Sequence, residues 1–189
     1  MVSAPLDPKY LRKPGHSIPV TPKDMEGRVT QFEGLTPDPG AFPDLKDKQH
    51  ERAVYYMPSP GGLAGLPSPI RAQHNFHMAI MVMPKGVRPS THAHPYNEVF
   101  VPLDARFRFY YGDNEEHSVE VGRYGVISVP AGVMRTFENL DDHAAHVMVL
   151  FDTPGDPHTD MLITPRDYEK FYKGWVPGME PPNTPAAAG

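Results

Sequence analysis

Proline is the first constraint on any fold of this chain: 24 of its 189 residues are proline, more than twice the roughly 5% that is usual. Each proline fixes one backbone angle and removes one hydrogen-bond donor, so stretches dense in it cannot be long helices or central strands. The densest clusters fall at residues 36–43 and 58–69. Residues 1–70 therefore read as an arm of loops and edges, with strand-like pieces at 27–32 and 53–57. Composition alone would allow a solvated tail. Phe32, Phe42, Tyr55 and Tyr56 argue for burial instead, either on the rest of the chain or on a partner subunit.

From about residue 71 to 152 the pattern changes to short strands. Residues 76–83 form a nearly continuous apolar run closed by Pro84, Lys85 and Gly86, as for a strand covered on both faces. Further strands are expected at 98–103, 106–111, 118–121, 125–129, 135–139 and 145–151. Turn residues separate them at Gly112–Asp113–Asn114, Ala131–Gly132 and Asp141–Asp142. Many short strands at this spacing predict an all-β sandwich or barrel. In the last segment, 153–189, Thr164 and Pro165 suit the N-cap and first position of a short helix that Gly174 would end.

Composition excludes several classes of function. A formal charge of −5 supplies no electrostatic reason to bind nucleic acid or an anionic membrane. No apolar run is long enough for a transmembrane helix, and the first residues lack a secretory h-region. A cytoplasmic location is the expectation. The chain has no cysteine, so any transition-metal site must be built from histidine, carboxylate, carbonyl or water.

The stretch from Gly86 to Glu98 carries the chemistry. His92, His94 and Glu98 share parity, so an extended chain presents two imidazoles and a carboxylate on one face. Those donors suit Fe(II), Mn(II), Zn(II), Co(II) or Ni(II). With Gly86 they match the first motif of the cupin family in register, namely Gly, five residues, His-x-His, three residues, Glu; its final Gly is Ala105 here. The family's second motif is met by Pro130, Gly132 and Asn139, with Gly125 one place late. The chain thus resembles a single-domain cupin over about residues 78–151. That resemblance implies a double-stranded β-helix, or jelly-roll barrel, with the proline-rich arm and the C-terminal helix as additions. It also implies one bound divalent metal and a dimer.

The departure from the family lies at Arg135, where the second motif has its histidine ligand. A guanidinium stays protonated and has no lone pair to give, so it cannot ligate a metal. Three readings follow. His92, His94 and Glu98 hold the metal alone, with Arg135 binding an anionic substrate group or a developing oxyanion; or another histidine, His146 above all, completes the set; or the barrel has lost its metal and only binds a ligand. His77, Phe100 and Phe137 are candidate pocket-wall residues, while Arg106, Arg108 and Tyr110 face inward or their neighbours do. The function expected is a metal-dependent enzyme on a small organic substrate, in the first place an Fe(II) dioxygenase. A non-redox isomerase, lyase or hydrolase and a non-catalytic binding module are the alternatives.

Overall fold

The structure is a computed structural model that describes residues 21–57, 69, 70, 74, 76–152 and 164–165. Among the described residues, ten strands lie in two five-stranded sheets. Strands β1 (Ala53–Tyr56), β2 (His77–Met83), β9 (Ala145–Phe151), β4 (Glu98–Pro102) and β7 (Ile127–Val129) form the first, in that order. The second runs β10 (Thr164–Pro165), β3 (His92–Ala93), β8 (Arg135–Asn139), β5 (Phe107–Tyr111) and β6 (His117–Val121). Every pairing between named strands is antiparallel. This is the all-β jelly roll that the sequence predicts.

Side chains alternate across each strand, and the registers stack them in level rows. On the first sheet His77, Phe151, Glu98 and Val129 stand side by side. On the second, His92, Arg135, Tyr111 and His117 do so. The next rows are apolar: Ala79, Val149, Phe100 and Ile127 face Phe137, Phe109 and Val119. Phe100 meets Phe137 at 4.7 Å and Phe109 at 5.1 Å between ring centroids. These tilted contacts close the barrel one layer from the polar rows.

Two glycines of the matched motifs are needed for their backbone angles. Gly86 (φ 71°) turns the chain after β2 and donates to the Asn139 carbonyl. Gly132 (φ 77°) donates to the carbonyl of His94, tying the β7–β8 turn to the segment that carries the histidines. Asn139 itself donates to the carbonyls of Met83 and His143 and accepts from Asp141 N. It closes strand ends and takes no part in the site.

Several expectations need correction. Residues 27–32 form no strand: a helix α1 (Pro22–Glu26), capped reciprocally by Thr21 and Asp24, precedes them and a 3-10 turn at Phe32–Gly34 follows. Phe32 is held by its ring, 4.8 Å from Tyr55 and 5.4 Å from His146. Strand β2 alternates buried and half-buried residues, since its apolar outer face is only partly covered. On β5 the inward residues are Phe107 and Phe109, which leaves Arg106, Arg108 and Tyr110 outside. Thr164 and Pro165 pair with Ala93 and His92 as a strand; residues 166–174, where the expected helix would run, lie outside the described residues.

Truncating Phe137, which is 2% exposed, is expected to cost about 3–5 kcal/mol. Urea unfolding of F137A checks this, with exposed Val126 (63%) changed to Ala as the control expected within about 0.5 kcal/mol of the parent.

Candidate functional site

Four of the residues singled out in the sequence meet at one end of the barrel. His92, His94, Glu98 and Arg135 are all buried there. The two imidazoles lie edge to face, 5.0 Å apart. The Nδ1 of His92 is 2.5 Å from the Ser90 carbonyl oxygen. A carbonyl only accepts, so that nitrogen carries the hydrogen and Nε2 is left as the donor atom of the ring. His94 stacks on Tyr96, whose hydroxyl is 3.2 Å from its Nδ1.

Glu98 and Arg135 face each other across the two sheets. Arg135 Nε donates to Glu98 Oε2 at 2.9 Å, Nη2 reaches the same oxygen, and Nη1 donates to the His92 carbonyl at 3.2 Å. Both side chains are almost wholly buried. The guanidinium thus occupies the place in the second motif where a histidine ligand is expected, and spends its donors on a carboxylate and a backbone oxygen.

Burial and the Arg135 charge shape the electrostatics together. Burial, with repulsion from Arg135 second, pushes the His92 imidazole down to about 3. It is neutral at physiological pH, the form in which a ring nitrogen can bind a metal. Burial raises Glu98 above the usual carboxylate range, while Arg135 pulls it back toward ionisation.

A cavity of about 410 Å³ opens beside this cluster on the side between β6 and β7. Phe109, Tyr111, Val119, Ile127 and Val129 line it, and Arg135 reaches it from within. Its wall is largely apolar. Besides Arg135, only Pro130 of the lining residues belongs to a matched motif, and the register of the strands brings the rest together.

The other candidates stand elsewhere. His146 lies on the outer face of β9, half-buried, with Nδ1 2.5 Å from Asp104 Oδ2. It cannot complete a ligand set, because its parity opposes that of Val147 and Val149, which point into the core. His77 does face inward, level with Glu98, but Phe151 stands between them. Phe100 and Phe137 belong to the core layer beneath the polar rows and are absent from the cavity wall among the described residues.

The donors fit a divalent ion in kind: two imidazoles, of which His92 is neutral, and a carboxylate. Their placement is less complete, since among the described residues no three histidine or acidic side chains converge on one point. Glu98 has turned toward Arg135. A carboxylate offers about four lone-pair directions, so its bonds to Arg135 through Oε2 do not use up the group.

No protein-family model matches the chain, and no curated protein does. Solved structures do match. An oxalate oxidase shares 16% identity over 92% of this chain and 80% of its own, with a TM-score of 0.54. The same kind of enzyme in complex with the substrate analogue glycolate gives 15%, 90%, 79% and 0.54. A Cupin 2 conserved barrel protein from Salinispora arenicola CNS-205 shares 14% identity over 72% of this chain and 89% of its own, at 0.45. The chain has the cupin fold. No helix among the described residues is long and apolar enough to cross a membrane.

Replacing Arg135 by Met should destabilise the protein by about 3–5 kcal/mol, because it leaves Glu98 buried without its counter-charge. Replacing Glu98 by Met as well should recover most of that loss in urea unfolding. A second outcome concerns acid. His92 takes up a proton on unfolding, at its ordinary value near 6.5, but in the folded chain only near 3. Its contribution to stability is therefore complete above 6.5 and is lost as pH falls from there toward 3. In chelator-treated protein, the unfolding midpoint of H92Q should fall less steeply over that window than that of the parent.

Proposed function

We propose that this chain is a metal-dependent cupin enzyme acting on a small organic substrate with a substantial apolar part. The observation that carries the reading is the clustering of buried His92, His94, Glu98 and Arg135 at one end of the barrel, where Arg135 also lines an open, largely apolar cavity. In it, His92 and His94 are the imidazole ligands and Glu98 the carboxylate ligand of one divalent ion. A two-histidine, one-carboxylate set leaves open positions and suits Fe(II), which in such a setting supplies dioxygen chemistry; Mn(II), Zn(II), Ni(II) or Co(II) would serve a Lewis-acid reaction.

The chain's own residues do the rest. Ser90 fixes the His92 tautomer, and Tyr96 backs the ring of His94. Arg135 partly offsets the burial that raises Glu98, and orients it. The apolar wall from Phe109 to Ile127 excludes water and takes the substrate's apolar body. Arg135, at the inner end of that wall, offers its charge to an anionic substrate group or to charge developing on an oxygen. We place the reaction first with the dioxygenases and second with non-redox isomerases, lyases or hydrolases.

A binding module without catalysis is the rival reading, favoured by one observation: the Glu98–Arg135 pair neutralises the carboxylate within the protein. Elemental analysis of protein purified without an affinity-metal column separates the two. About one metal ion per chain, largely lost in H92A, is expected. No metal, with ligand binding unchanged in H92A, would leave the binding module. After anaerobic loading with Fe(II), oxygen uptake with phenolic or diketone substrates is expected; turnover only with Zn(II) or Mn(II), and without oxygen consumption, would move the chain to the non-redox class.

A further inference from the structure

We propose that Asp44, carried by the N-terminal arm, is a positioning residue for His92: acting through Ser90, it holds the imidazole in one orientation and one tautomer. Asp44 lies in a 3-10 turn (Pro43–Lys46) and is 2% exposed. Its Oδ2 accepts from the Ser90 backbone N–H at 2.9 Å and from the Ser90 hydroxyl at 3.1 Å. The carbonyl of the same Ser90 accepts from His92 Nδ1 at 2.5 Å. Ser90 is thus fixed on one side by the arm and fixes the imidazole on the other.

Asp44 is in turn held by Arg52. Nη1 and Nη2 each donate to one carboxylate oxygen at 3.2 Å, Nη1 also donates to the His50 carbonyl at 2.8 Å, and the guanidinium lies 5.0 Å from the centre of the Phe42 ring. Both side chains of the pair are about 97% or more buried. Docking the arm does not require such a pair. Strand β1 already adds four residues to the first sheet, and Phe42, Val54 and Tyr56 are buried with it. A buried ion pair contributes little stability that well-packed apolar residues would not. Its presence is explained by what it aims: an ionised carboxylate held rigid accepts strongly from Ser90. Partners of ligating histidines set ring orientation and tautomer in this manner and change metal affinity by about 10–100-fold when lost.

The inference rests on the reading of His92 as a working ligand, so its test has one arm that needs no metal. Side-chain ¹H–¹⁵N correlation spectra of the full-length, metal-free chain at neutral pH report which nitrogen of His92 bears the hydrogen. The parent is expected to carry it on Nδ1; finding it on Nε2 overturns the proposal. D44N is expected to give a mixture of tautomers and to bind Co(II) about 10–100-fold more weakly than the parent. S90A, which removes one of the two bonds to Asp44, should shift the His92 signals in the same direction by less. A folded D44N with His92 signals and Co(II) affinity like the parent's means that Asp44 only anchors the arm, and ends the proposal. If D44N does not fold, an S90A spectrum identical with the parent's does the same. A parent that binds no Co(II) at all defeats the functional reading, while the nitrogen spectra still decide the role of Asp44.

Discussion

The buried pair between Glu98 and Arg135 is the interaction around which the functional end of this barrel is arranged. Glu98 stands on the first sheet and Arg135 on the second, so their hydrogen bonds are also a polar tie across the jelly roll. Each charge would be costly there alone, and each is tolerable because the other is within hydrogen-bond reach. The pair determines what the neighbouring histidines experience. Burial first and repulsion from Arg135 second leave the His92 imidazole neutral, and Arg135 donates to its carbonyl, which fixes its backbone.

Below that tie, the barrel is closed by aromatic rings, and beside it the wall stays open. Phe100, Phe109 and Phe137 pack in one layer, with Phe107 buried one row further on. Between β6 and β7 the two sheets do not pair, and the cavity enters through this gap. Polar chemistry is thereby confined to one end, with an apolar approach to it. The arm adds the remaining side: β1 extends the first sheet, and Asp44 with Arg52 brings a second buried ion pair to within one residue contact of the His92 support.

How much of this was legible in the sequence follows the range of the interactions. Strand spacing is local, so the strands from β4 to β9 could be read from residue types alone. The single extended face expected for His92, His94 and Glu98 is instead broken by a turn that leaves His92 on β3 of the second sheet and Glu98 on β4 of the first. The strand expected at 27–32 failed for a local reason too: Thr21 and Asp24 cap a helix before it, and Phe32 docks by its ring without backbone pairing. His146 shows the limit of pattern. Its alternation with Met148 and Leu150 was visible, but which of two parities faces inward depends on the partner strand, and that choice sends His146 to Asp104 at the surface.

By itself, the sequence determined the fold class and offered the candidate donors, because turn chemistry, side-chain period and ligand type are properties of neighbours along the chain. It also determined that Arg135 could not be a ligand, which is a matter of its protonation. Only the tertiary structure decided what Arg135 does instead, since its partner Glu98 is 37 residues away and on the other sheet. The apolar cavity wall and the reach of Asp44 to Ser90, 46 residues on, were decided in the same way. These are contacts across sheets and between an arm and a barrel, and they exist only once the registers have been set.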